Sequence, residues 1–321
     1  VVSEKGKGDF VWDVEGNKYY DFLSAYSAVN QGHSHPKIVD ALVNQAQKLA
    51  LTSRAFYNAN LGEYEKKITE LFGFDKVLPM NSGAEAVETA VKLARKWSYE
   101  VKGVPQNAAK IVVCENNFHG RTTTIVSFSN DPDANNNYGP FTPGFIKIPY
   151  NNLKALEETL ANDSENIAAF LVEPIQGEAG VYVPDEGFLK SASELCKKYN
   201  VLFIADEVQT GIARTGKLIA CHHENVQPDI LILGKALSGG MYPVSAVLAN
   251  DEIMNVIHPG QHGSTFGGNP IACAVAVAAL NVVEEEKLSE RAEELGQLFR
   301  NEIQKLIEKT DLITGVRGKG L

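Results

Sequence analysis

Short, unbroken apolar runs alternate along this chain with longer stretches of helical period. Runs at 77–80, 111–114, 168–172, 201–205, 230–233 and 244–248 are each four or five residues long and carry almost no polar position. That pattern predicts strands covered on both faces. Between them, Ala84, Val87, Val91 and Ala94 recur at helical spacing and predict a helix over 84–98. Further helices are predicted over 36–49, with Ile38, Ala41, Leu42 and Ala46 on one face, and over 62–71, 152–161 and 187–199. The alternation argues for an α/β fold with a mainly parallel sheet between helices. Residues 10–21 read as a hairpin turning at Glu15-Gly16-Asn17. The polar stretch 131–144 reads as a long loop. A helical region over 270–308 is expected to carry the chain out of the main domain.

The 321 residues suffice for one large α/β unit and a smaller one. Boundaries are expected at an N-terminal segment, 1–32, a large domain, 33–280, and a linking helix opening a smaller C-terminal domain, 281–321. A net charge of −10 gives no basic footprint for nucleic acid. No apolar stretch reaches the roughly 18 residues of a membrane span. Cys114, Cys196, Cys221 and Cys273 are widely spaced and read as reduced core thiols. The expected compartment is the cytoplasm, or the mitochondrial matrix in a eukaryote after loss of a transit peptide. The chain opens on Val1 and closes on a Gly-rich stretch, so both natural ends are expected to lie outside it.

Two strand ends carry the chemistry. The run Ile230-Leu231-Ile232-Leu233 stops at Gly234, and Lys235 follows at once. Open α/β sheets place ligands at the carboxyl ends of their strands, where a partly desolvated lysine becomes a nucleophile. The run Val201-Leu202-Phe203-Ile204-Ala205 ends in Asp206 in the same way. An amine and a carboxylate at adjacent strand ends are what pyridoxal phosphate uses, the lysine as a Schiff-base anchor and the carboxylate to keep the pyridine nitrogen protonated. Singly, Lys235 reads equally as a surface lysine and Asp206 as a helix N-cap; the pair shifts the balance towards a site.

Other groups add to this picture. Ser82-Gly83-Ala84 stands between a strand and a helix start, where backbone N–H groups bind phosphate, although an ordinary Ser cap fits as well. In Phe118-His119-Gly120-Arg121 the aromatic suits stacking on a planar ring and Arg121 suits a substrate carboxylate; a buried Phe and a surface Arg is the plainer reading. Glu173 and Glu178 bracket a loop straight after a strand. Gly263 to Pro270 supplies hydroxyls before a helix. His33, His35, His222 and His223 lack a third ligand at metal spacing. Gly234-Lys235 is not a P-loop, since Ala236 stands where Ser or Thr is needed.

Taken together, Asp206-Glu207-Val208-Gln209-Thr210-Gly211, Leu233-Gly234-Lys235-Ala236-Leu237-Ser238-Gly239-Gly240 and Gly263-Ser264-Thr265-Phe266-Gly267-Gly268-Asn269-Pro270 resemble the class III (subgroup II) pyridoxal-phosphate aminotransferases over nearly the whole chain. The resemblance implies a fold-type I transferase acting as a homodimer with shared active sites. It implies Lys235 and Asp206 as catalytic residues. It implies a cofactor set of Ser82, Gly83, Ala84, Phe118, His119, Asp206, Val208, Gln209 and Lys235, with Ser264 and Thr265 reaching over from the second subunit. Tyr26, Arg121 and Glu178 would bind substrate. The segment from Phe22 to His33 points, within the class, to members acting on ornithine. The implied reaction is ping-pong transfer of the δ-amino group of L-ornithine to 2-oxoglutarate, giving glutamate 5-semialdehyde and glutamate. The alternatives are an acetylornithine or 4-aminobutyrate donor, or a non-catalytic cofactor-binding relative. The family also has an aromatic substrate contact upstream of Val1 and a later domain with a second arginine, neither of which lies within these residues.

Overall fold

Residues 1–321 are described by a computed structural model. The chain begins with an antiparallel meander of β1 (Ser3–Lys7), β2 (Phe10–Asp13) and β3 (Lys18–Tyr20). Asp13 builds its turn as expected: one carboxylate oxygen accepts from the Glu15 and Asn17 N–H groups, and the other from the Asn17 amide and the Tyr19 hydroxyl. Helices α1 (Pro36–Ala46) and α2 (Leu61–Phe72) follow. Then come β4 (Lys76–Met80), α3 (Gly83–Trp97), β5 (Lys110–Cys114) and β6 (Phe145–Ile148). Next are α4 (Leu153–Asp163), β7 (Ile167–Val172), α5 (Phe188–Lys198) and β8 (Leu202–Asp206). The chain continues through β9 (Ile230–Leu233), β10 (Ser245–Ala249), α6 (Pro270–Glu285) and α7 (Leu288–Ile307).

The large sheet has the order β4-β10-β9-β8-β7-β5-β6. The pairs β9/β8, β8/β7, β7/β5 and β5/β6 are parallel, and β10 runs antiparallel to both of its neighbours. Successive side chains alternate between two cores. Phe170, Phe203 and Leu231 enter one, against Tyr64, Phe72 and Phe188. Leu171, Ile204 and Ile232 enter the other, against Ala90, Val91 and Leu93 of α3. Both faces are dry, so the strands carry no polar alternation.

Two expectations need correction. The helical region over 270–308 is broken at Lys287, whose φ of +51 is left-handed. Its first half does not leave the main body: Ile271, Val275, Ala279 and Val282 of α6 are buried with Ile38 of α1. The edge strand β6 escaped the sequence reading, because its Phe-Ile-Lys-Ile is short, only partly buried and directly follows the polar stretch. No helix is long and apolar enough to cross a membrane, and all four cysteines are unpaired and buried.

Candidate active site

Strands β5, β7, β8 and β9 run in one direction, so their carboxyl ends open on one edge of the sheet. Since β10 opposes both β9 and β4, β4 points the same way and delivers α3 to that edge. A cavity of about 200 Å³ lies there, lined by Gly83, Ala84, Phe118, His119, Gly120, Glu173, Ile175, Asp206, Val208, Gln209, Thr210 and Lys235. Each of these residues follows a buried strand or opens a helix, which is where backbone direction rather than side-chain size fixes position.

Lys235 opens a single helical turn, Lys235–Ser238, straight after β9, with a φ of +44. That conformation is costly for a residue with a Cβ, and such strain collects at functional sites. Burial lowers the pKa of its amine, outweighing the opposing pull of Glu178, Asp206 and Glu173; the Arg214 charge lowers it further. Asp206 ends β8 and is 5 % exposed. Its Oδ1 accepts from the Val208 N–H at 3.1 Å, and its Oδ2 lies 2.7 Å from Nδ1 of the fully buried His119. Burial pulls the imidazole pKa down, but the hydrogen bond to Asp206 and the charges of Asp206 and Glu173 outweigh it and hold His119 above its ordinary value. Nδ1 therefore donates, and Asp206 keeps lone pairs for a cation in the cavity. His119 Nε2 is buried without a partner.

Ser82 caps α3: its Oγ accepts from the Glu85 N–H at 3.2 Å, and the Glu85 carboxylate reaches back to the Ser82 N–H. The N–H groups of Gly83 and Ala84 precede the first intrahelical donor and line the cavity. Close approach is enforced here. A Cβ on Gly83 would stand 2.9 Å from Val208 Cγ1, and one on Gly120, at φ +126, 2.9 Å from Ala84 Cβ. The cavity thus offers an amine, a carboxylate held by a histidine, a helix N-terminus free for an anion, and apolar walls from Phe118 and Val208. That donor set fits a planar, phosphate-bearing pyridine aldehyde.

Glu173, straight after β7, was read from the sequence with Glu178 as an acid that could orient cofactor or substrate, or equally as a loop charge. Its Oε2 accepts from the Phe118 N–H at 2.9 Å. Burial pushes its pKa up to about 7, against the opposing charge of His119. The strand-end position that singled out Asp206 and Lys235 was equally available for Glu173. Gly120, Ile175 and Thr210 also line the cavity and carried no such signal.

Other expected residues lie outside this lining. Glu178 reaches Gln209, whose Nε2 donates to its Oε1 at 3.4 Å. The Arg121 guanidinium sits 5.8 Å from the Phe118 ring centre. Tyr26 is half-exposed on a left-handed turn of four non-glycine residues, Ser24 to Ser27. Ser264 Oγ accepts from Asn81 Nδ2 at 2.7 Å, beside the α3 cap. Thr265 lines a separate hollow with Arg54, Phe56 and Tyr57.

A family model described as aminotransferase class-III matches residues 1–321. The chain is 65 % identical over all 321 residues to the mitochondrial ornithine aminotransferase of Drosophila melanogaster, covering 74 % of that protein. Among solved structures, the ornithine aminotransferase of Toxoplasma gondii, crystallized with oxidized glutathione and showing partial occupancy of PLP at its active site, superimposes with a TM-score of 0.98 at 55 % identity. All of this chain and 76 % of that one are covered. A structure named acetylornithine aminotransferase, from Elizabethkingia anophelis, is 78 % identical, with a TM-score of 0.91 over all of this chain and 77 % of its own.

Proposed function

The chain belongs to the class-III aminotransferases, and from that premise we propose that it transfers the δ-amino group of ornithine to 2-oxoglutarate, yielding glutamate 5-semialdehyde and glutamate. One observation carries the chemistry: Lys235, Asp206 with His119, and the start of α3 converge on a single cavity. Pyridoxal phosphate is the cofactor; when bound it supplies a carbonyl that takes up amines and a ring that draws electrons from the attached carbon. Lys235 would anchor it, and its amine would carry the proton at the substrate's terminal carbon. Asp206, oriented by His119, holds the proton on the ring nitrogen. Gln209 would hold the ring hydroxyl, and Phe118 and Val208, which line the cavity, would pack against the ring. Ser82, Gly83 and Ala84 receive the phosphate. Arg121 binds a substrate carboxylate, and Tyr26 and Glu178 shape the pocket.

The active unit in this reading is a homodimer, with Ser264 and Thr265 completing the phosphate site of the second copy. Phe56 and Tyr57, 70 % and 101 % exposed beside the Thr265 hollow, support that placement. Residues 33–280 form the cofactor-binding unit, flanked by 1–32 and 281–321. The four reduced cysteines suit a reducing aqueous compartment, the cytoplasm, or the mitochondrial matrix as in the Drosophila relative's name.

Acetylornithine as donor is the second reading, favoured by the 78 % identical structure bearing that name. The two donors differ at the α-amine, which acetylation removes as a cation. A site built to hydrogen-bond a group discriminates strongly against molecules lacking it. With Tyr26 holding the α-amino-acid end, ornithine has the higher kcat/KM, and Tyr26→Ile narrows the gap to acetylornithine and 4-aminobutyrate. Wild-type kcat/KM equal or higher for acetylornithine sinks the first reading and establishes the second.

A further inference from the structure

The turn that carries Tyr26 is held from both ends. Ser24, Ala25, Tyr26 and Ser27 have φ values of +50, +47, +58 and +70. Each costs roughly 1–2 kcal/mol for an L-residue, so the turn persists only if its surroundings impose it. At its start, Asp21 Oδ1 accepts from the Leu23 and Ser24 N–H groups at 3.0 and 2.9 Å, and Oδ2 lies 2.6 Å from His33 Nε2. Beyond its end stands Asn30. The Asn30 amide donates to Ile212 O at 2.7 Å and to Gly211 O at 3.4 Å. Its Oδ1 accepts from Arg214 Nε at 3.0 Å and also from the terminal Nη2.

The loop that Asn30 grips is strained too. Ile212 and Ala213 have φ values of +55 and +69, and a β-branched residue in that region is an outlier. This loop begins at Asp206. Arg214 has no carboxylate partner; its remaining arm donates to Leu321 O at 3.1 Å. Next along the chain, Gln31 Nε2 donates to Ala236 O at 3.0 Å, beside Lys235. Three pieces of backbone in unfavourable conformations, at Tyr26, Ile212 and Lys235, are therefore joined through two adjacent amide side chains and one guanidinium.

We propose that Asn30 and Arg214 are positioning residues for donor selection, locking the Tyr26 turn to the loop that follows Asp206. This rests on the reading that Tyr26 contacts the amine donor. The pair touches no reacting atom; it fixes where the phenol stands relative to the cofactor-bearing strand ends. Asn suits the position because a single planar amide donates to two carbonyls while accepting from a fork of two N–H groups. Asp offers no donor to Ile212, and Ala offers neither half.

The test uses the full-length holoenzyme and reads the ratio of kcat/KM for ornithine to that for acetylornithine, whatever its starting value. Asn30→Ala is expected to move the ratio at least about fivefold, the factor equivalent to one lost neutral hydrogen bond. The change should come through KM, with the absorbance spectrum of the bound cofactor unchanged. Asn30→Asp, which keeps the Arg214 contact and the shape, should move the ratio the same way and carries the comparison if the alanine variant does not fold. Adding Tyr26→Ile to either variant should move the ratio no further than Tyr26→Ile alone. An unchanged ratio in both Asn30 variants overturns the proposal, as do additive effects in the double variant. An equal fall in kcat for both donors with an altered cofactor spectrum also overturns it, because that marks a scaffold role. If Tyr26→Ile itself leaves the ratio unmoved, the underlying reading of Tyr26 fails as well; if it moves the ratio while Asn30 does not, only the strut is lost.

Discussion

Replacing Glu173 by Gln tests the electrostatics of the site through folding rather than turnover. Glu173 is buried beside Asp206 and His119, and its pKa rises from an ordinary 4.5 to about 7. The folded chain thus keeps this proton up to about pH 7, whereas the unfolded chain releases it near 4.5. Between those values the native state binds more protons, so stability falls as pH rises. At about 1.4 kcal/mol per pH unit, the full loss is about 3 kcal/mol, reached above pH 7. Gln never ionises and escapes the loss. Its carbonyl can still accept from the Phe118 N–H, while its new N–H₂ needs a partner, a penalty of about 1 kcal/mol that does not vary with pH. Denaturant unfolding of parent and variant, both stripped of cofactor, should show the variant gaining on the parent by about 2–3 kcal/mol from pH 5 to 8. Below pH 5 the difference should flatten. A difference constant from pH 5 to 8, or one that moves in the parent's favour, refutes the assigned burial penalty.

Three further outcomes follow from the site. Lys235→Ala should fold, since this side chain is only partly buried, yet show no turnover; activity near wild type would refute the whole assignment. Asp206→Asn should retain cofactor but lose more than about 2 kcal/mol of transition-state stabilisation, about thirtyfold in kcat, because an amide does not hold a ring cation as a carboxylate does; a loss of only a few-fold rejects the role. Ser82→Ala removes the reciprocal cap of α3 and should cost about 1 kcal/mol in a denaturation curve, with weaker cofactor retention on dialysis; unchanged values of both would show that the cap is redundant.

The apolar runs were enough to place six of the seven strands of the large sheet within one residue, because a strand buried on both faces tolerates no polar position. The same rule placed Lys235 and Asp206: a charged residue immediately after such a run must stand at the sheet edge. Helix α3 and its Ser82 cap were equally legible, since periodicity and capping act within a few residues of sequence. Where burial is partial, as in β6, the pattern fades into the loop before it. The break at Lys287 was also unreadable, because the sequence around it is strongly helical and a left-handed residue there depends on how α6 packs under α1. Contacts between distant segments were likewise beyond the sequence. His119 meets Asp206 across 87 positions, and Asn30 meets Arg214 across 184. Local propensity encodes neither pairing. The order of strands in the sheet brings β5 and β8 to opposite sides of β7, and only that arrangement gathers a histidine, two acids and a lysine around one cavity.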